Sequence, residues 1–76
     1  MMNAQGSIDC RGLACPMPLV RIKRALKELR CGEVLAASAD VDCFDLDVKA
    51  WCETTGNPLK ALERTGEVVT AYIEKA

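Results

Sequence analysis

Five cysteines are the residues of this 76-residue chain best suited to covalent chemistry, and their surroundings set one of them apart. Cys15 is followed by Pro16, Met17 and Pro18, and the run Cys10-Arg11-Gly12-Leu13-Ala14 before it leads out of an extended segment. Proline suits the first position of a helix, where its missing N–H has no intrahelical partner to lose and its fixed φ is already helical. With Pro16 as that first residue, Cys15 is the expected N-cap and Pro18 stands in the third position. Two of the unpaired N–H groups of the first turn are then absent, and the Cys15 sulfur is left to take the one from Met17. Capping alone favours Ser, Thr, Asp or Asn, so a cysteine at a helix mouth points to reactivity. The positive end of the helix dipole stabilises a thiolate, and the expected Cys15 pKa lies below the usual value of about 8.5.

Other chemistries fit the composition poorly. A secreted disulfide scaffold needs paired cysteines and an export signal, whereas the count is odd and Met1 to Gly6 lacks the charged and apolar regions of a leader. A structural zinc site is disfavoured because there is no histidine and no Cys-x-x-Cys pair. No run approaches a membrane span, and the expected location is the cytoplasm. A net charge of −1 argues against general nucleic-acid binding. The charge is uneven, however: residues 11–30 carry a balance of +5 and residues 31–76 one of −5. Arg21, Arg24 and Lys27 thus mark a basic helix face, either simply solvated or a docking surface for an acidic partner.

The elements that must position Cys15 follow from periodicity and turn signals. Ser7 to Cys10 alternates as a short strand with Ile8 and Cys10 on one face, preceded by an expected flexible tail over residues 1–6. Leu19, Ile22, Leu26 and Leu29 recur at helical spacing, which predicts a helix from Pro16 to Arg30 stopped by Gly32. Glu33 to Ala39, with the apolar run Val34-Leu35-Ala36-Ala37, reads as a second strand. Asp40 or Asp42 is the expected cap of a second helix running to about Thr55, with Phe44, Val48, Trp51, Cys52 and Thr55 on its buried stripe and Gly56 as its stop. Pro58 restarts an extended chain, and Leu59 to Arg64, Thr65-Gly66 and Glu67 to Ile73 read as a hairpin. The order is βαβαββ in one domain. A right-handed crossover makes the first two strands parallel and puts both helices on one face, a two-layer α/β sandwich of the α+β class. Cys15 then lies beyond the carboxyl end of the first strand, where sites gather in such sheets.

A Cys-Pro-x-Pro run between a strand and a helix resembles the mark of the TusA/SirA-like family of small sulfur-carrier proteins. The likeness extends from Asp9-x-Arg11-Gly12-Leu13-x-Cys15-Pro16-x-Pro18 through Gly32-Glu33, Asp40, Asp47, Trp51 and Gly56 to the final hairpin, covering about residues 7–75. Val41 departs from a proline common at that position, and Asn57-Pro58 from a His-Glu pair. The resemblance implies a mixed four-stranded sheet of order 1-2-4-3, like the C-terminal domain of translation initiation factor 3. It also implies that Cys15 accepts sulfane sulfur as a persulfide from a cysteine desulfurase or rhodanese-like donor. The sulfur would pass to a downstream acceptor in tRNA thiolation, molybdenum cofactor synthesis or thiosulfate metabolism, with a membrane sulfur transporter as a further candidate partner. Gly12, Arg11, Pro16, Met17 and Pro18 are the expected supporting residues. No acid/base group lies near Cys15 in sequence, so a carrier that depends on partner enzymes is expected, monomeric and without a cofactor. Cys10 has two readings. It is a small buried residue, or a resolving thiol that would attack a Cys15 persulfide and make the chain a dithiol redox protein. Cys31, Cys43 and Cys52 read as core or near-surface small residues. Arg11 is either paired with Asp9 or anion-binding, and the basic helix alone would suit a regulatory interaction domain.

Overall fold

The computed structural model describes residues 4–76. Its elements are β1 (Gly6–Asp9), α1 (Met17–Lys27), β2 (Val34–Ala39), α2 (Phe44–Thr55), β3 (Leu59–Thr65) and β4 (Val68–Glu74). The sheet order is β1-β2-β4-β3, with β1 parallel to β2 and the other pairs antiparallel. This is the expected βαβαββ arrangement. Of the tail expected over residues 1–6, residues 1–3 lie outside the described residues. Gln5 and Gly6 are already tied to β2: the Gln5 N–H donates to the Val34 carbonyl at 2.9 Å, and Gly6 stands opposite Leu35.

Strand alternation decides which face of the sheet is covered. Leu35, Ala37 and Ala39 of β2 and Val69, Ala71 and Ile73 of β4 are buried, while Ala36, Ser38, Thr70 and Tyr72 between them are half-exposed. The register sets Ile8 opposite Ala37, so Gly6, Ile8 and Cys10 share the covered face. Onto it pack Ile22 and Leu26 of α1 and Phe44, Val48 and Cys52 of α2, with Trp51 half-buried beside them. The two helices also touch each other, which places both on that face. Fully buried alanines at 37, 39 and 71 leave room for the larger Ile22 and Phe44 above them.

The helix ends depart from the sequence reading in informative ways. Pro16, not Cys15, is the N-cap of α1: its φ of −99° and ψ of 19° are non-helical, and its carbonyl accepts the first bonds, from Leu19 and Val20. Cys15 therefore stands one residue outside the helix, and Pro18, in its second position, is fully buried. The helix stops at Lys27, short of Arg30, because the N–H groups of Glu28 and Leu29 turn back three residues to Ala25 and Leu26. Gly32 serves the turn that follows, where the Glu33 side chain accepts from the Arg30 N–H at 2.7 Å. The N-cap of α2 is Cys43, without a side-chain cap bond. Asp40 is drawn elsewhere, as the site shows. Gly56 closes α2 as expected, at φ +80° with its N–H on the Cys52 carbonyl.

Candidate functional site

The loop from Cys10 to Pro16 leaves β1 at its carboxyl end and is pinned at both sides. Cys10 sits in the core with no exposed surface, and its N–H extends the β1–β2 pairing to the Ser38 carbonyl. Gly12 turns the chain at φ +82°, a conformation that side chains rarely adopt, and its N–H donates to Asp40 Oδ1 at 2.9 Å. Asp40 follows β2 directly, so its carboxylate locks the loop to the end of the neighbouring strand and does not cap α2. The Met17 N–H, expected to meet the Cys15 sulfur, donates to the Ala14 carbonyl at 2.9 Å. Ala14, Cys15 and Pro16 are thereby held out in solvent.

Freed from capping, the Cys15 sulfur faces the start of α2. Its Sγ donates to Asp47 Oδ2 at 2.6 Å and lies 2.9 Å from Cys43 Sγ. Cys43 and Asp47 are four residues apart and share one face of the first turn of α2, which is why both reach the same atom. The electrostatics reverse the sequence expectation. The Asp47 carboxylate, the Cys43 sulfur and partial desolvation push the Cys15 thiol up to about 12, so at neutral pH the group is a thiol whose proton is already on a hydrogen bond to a carboxylate. An acid/base partner for Cys15 does exist; it was invisible in sequence because it arrives from 32 residues away.

The remaining cysteines divide cleanly. Burial pushes the Cys10 thiol up, and pushes the Cys52 thiol up to about 11. Cys31 is exposed, its Sγ 3.4 Å from the Ala76 carbonyl. The candidate resolving thiol Cys10 is thus enclosed in the core, and the thiol beside Cys15 is Cys43, which the sequence suggested only as a small structural residue. Cys15, Cys43 and Asp47 also form the group among the described residues that could hold a metal ion, their ligand atoms lying within 4.8 Å of one another. Their spacing along the chain follows no metal motif, so the group becomes visible only in the fold. The two sulfurs nevertheless stand closer than the roughly 3.8 Å that two thiolates keep across a tetrahedral zinc with 2.3 Å bonds.

Around the sulfur, Arg11 is held by Asp9 through two side-chain bonds of 2.9 Å, and this guanidinium lowers the Asp9 carboxyl to about 2. Arg21, Arg24 and Lys27 are exposed on α1, and no ion pair among the described residues engages them. Met17 and Leu46 are exposed large apolar side chains, one in the first turn of each helix. Leu46 adjoins Asp47, and the sequence reading passed over it because exposure of a single leucine has no local signal. The Cys15 sulfur thus lies against the acidic first turn of α2, while Met17, Leu46 and the basic residues of α1 are exposed elsewhere on the two helices.

The family model for Sulfurtransferase TusA matches residues 6–75. Two Bacillus subtilis strain 168 proteins, each named provisionally as a sulfur carrier, are similar to the chain. YrkF is 39% identical over 99% of this chain and 40% of its own length; YrkI is 35% identical over 97% of this chain and 99% of its own. The chain thus spans about two fifths of YrkF and nearly all of YrkI. A solved SirA-like protein from Desulfitobacterium hafniense superposes with a TM-score of 0.79 at 31% identity, covering 92% of this chain and 96% of that one. With the Cys-Pro-x-Pro turn, the 1-2-4-3 sheet and a match over nearly its whole length, the chain belongs to the TusA sulfurtransferase family.

Proposed function

We infer that the chain carries sulfane sulfur as a persulfide on Cys15, loaded by a donor protein and relayed to an acceptor. The observation that carries this reading is the exposed Cys15 thiol with the Asp47 carboxylate at 2.6 Å. As Cys15 approaches the outer sulfur of a donor's persulfide, its proton passes to Asp47. The Cys15 sulfur forms the new S–S bond, the donor's S–S bond breaks, and the donor's cysteine leaves as a thiolate. Relay is the same displacement in reverse order, with the acceptor's thiolate or other nucleophile attacking the outer sulfur. Sulfur exchange between protein cysteines needs two surfaces to dock around exposed thiols. Met17 and Leu46 supply apolar area for that, and Arg21, Arg24 and Lys27 supply charge that steers an acidic partner.

The donor class is a cysteine desulfurase or rhodanese-like protein. Gly12, through Asp40, and Pro16, Met17 and Pro18, through the start of α1, are positioning residues of the sulfur. No helix of the described residues is long and apolar enough to cross a membrane. The test is discharge of a cysteine desulfurase that bears a labelled persulfide. The wild-type chain should empty the donor in proportion to the amount added, and Cys15→Ser should leave it loaded. Equal discharge by both would end the reading. Charge reversal at Arg21, Arg24 and Lys27 should slow discharge at low salt and lose its effect as salt screens the surface.

A further inference from the structure

Cys43 has no structural task that calls for sulfur. It occupies the N-cap of α2, where Ser, Thr, Asp or Asn would serve better, and makes no side-chain cap bond. It is half-buried, and its sulfur lies 2.9 Å from Cys15 Sγ, less than about 1 Å beyond the length of a disulfide bond. The Asp47 carboxylate lies within 4.8 Å of both sulfurs. Cys10, the other thiol near the motif in sequence, is sealed in the core.

We propose that Cys43 is a resolving thiol: sulfane sulfur that waits on Cys15 without an acceptor is discharged as hydrosulfide while Cys15 and Cys43 close a disulfide. The proposal rests on the reading of Cys15 as the persulfide site. In the step, the Cys43 proton passes to Asp47 and Cys43 Sγ attacks Cys15 Sγ, the inner sulfur of the persulfide. The Cys43–Cys15 S–S bond forms, the bond from Cys15 to the outer sulfur breaks, and that sulfur leaves as HS⁻. One thiol and one persulfide become a disulfide and hydrosulfide, the sulfane sulfur being reduced to sulfide, so the carried sulfur is itself the oxidant. The closed form has no thiol at position 15 and accepts no further sulfur until a dithiol reductant reopens it. An acceptor that docks promptly takes the sulfur first; a stranded load is shed and loading stops.

The test is made anaerobically with inorganic polysulfide as the probe, on the full chain, followed by rapid desalting and peptide-resolved mass spectrometry. Wild type should end two hydrogens lighter than the reduced chain, with Cys15 linked to Cys43, and omission of polysulfide should leave it reduced. Cys43→Ser, which keeps a good N-cap, should end one sulfur heavier on Cys15 and release no further sulfide once the polysulfide has been removed; Cys43→Ala should do the same. Cys10→Ala should behave as wild type. A stable Cys15 persulfide in the wild-type chain, or the extra sulfur found on Cys43, would overturn the resolving role and leave the carrier reading intact. Failure of both Cys43 variants to take sulfur at Cys15, with all thiols free, would instead sink the carrier reading.

Discussion

Replacing Asp47 by asparagine should make Cys15 more reactive, although the change removes the group that accepts its proton. In the native site the thiol titrates at about 12, chiefly because its S–H donates to Asp47 Oδ2 at 2.6 Å. Asparagine keeps the shape, removes the charge, and offers an amide that can donate to a thiolate. The pKa should then fall, with the free-cysteine value of about 8.5 as its lower bound because Cys43 and partial desolvation stay in place. At that bound the thiolate fraction at pH 8 rises from about one in ten thousand to about a quarter, a gain of roughly two thousandfold. A less basic thiolate is a weaker nucleophile: with a Brønsted slope of about 0.4–0.5 acting over about 3.5 pKa units, some thirtyfold to fiftyfold is given back. The net expectation is alkylation of Cys15 by iodoacetamide faster in Asp47→Asn, by up to about fiftyfold. Wild type should accelerate about tenfold per pH unit up to pH 10, while the variant levels off above about pH 9. Cys31, also exposed and remote in sequence, serves as the internal reference in the same peptide digest. An unchanged or slower Cys15 rate in the variant, or the same pH profile in both, would refute the reading that the Asp47 carboxylate holds Cys15 in its thiol form.

Further expectations concern the frame and its charges. Ile22 is fully buried between α1 and the sheet, and Ile22→Ala should cost about 2–5 kcal/mol in denaturant unfolding. The Asp9 carboxyl is lowered from 3.8 to about 2 by Arg11, so the stability this pair contributes is present above pH 3.8 and lost as pH falls toward 2. An NMR titration should place the Asp9 midpoint near 2, and Arg11→Gln should return it toward 3.8. A midpoint unmoved by that change would show that another group holds Asp9 down.

The contrast between what the sequence revealed and what it hid follows the range of the interactions. Gly56 could be read as a helix stop because its left-handed φ and its N–H bond to Cys52 are set within five residues. The stripe of Ile22 and Leu26, the stripe of Phe44, Val48 and Cys52, and the hairpin turn at Gly66 are likewise local periodicities or local backbone demands. The burial of Cys10 was accessible from alternation with Ile8. The state of Cys15 was not. The dipole of the helix that follows is a local influence, whereas the Cys15 sulfur answers to Cys43 and Asp47, 28 and 32 residues downstream and brought near by the packing of α2 beside α1. Asp40 was misassigned for the same reason: a residue of the right type to cap α2 was claimed by Gly12, across 28 residues. Local rules placed the elements, and the contacts between elements decided the protonation and company of the Cys15 sulfur.

The most direct measurement of the central claim is peptide-resolved mass spectrometry of the chain quenched with an alkylating reagent at short times after mixing with a persulfide-loaded cysteine desulfurase. Labelled sulfur should be found on the Cys15 peptide at the earliest times, in wild type and in Cys43→Ser alike. Label on Cys31, or on no cysteine of the chain while the donor stays loaded, would contradict that claim.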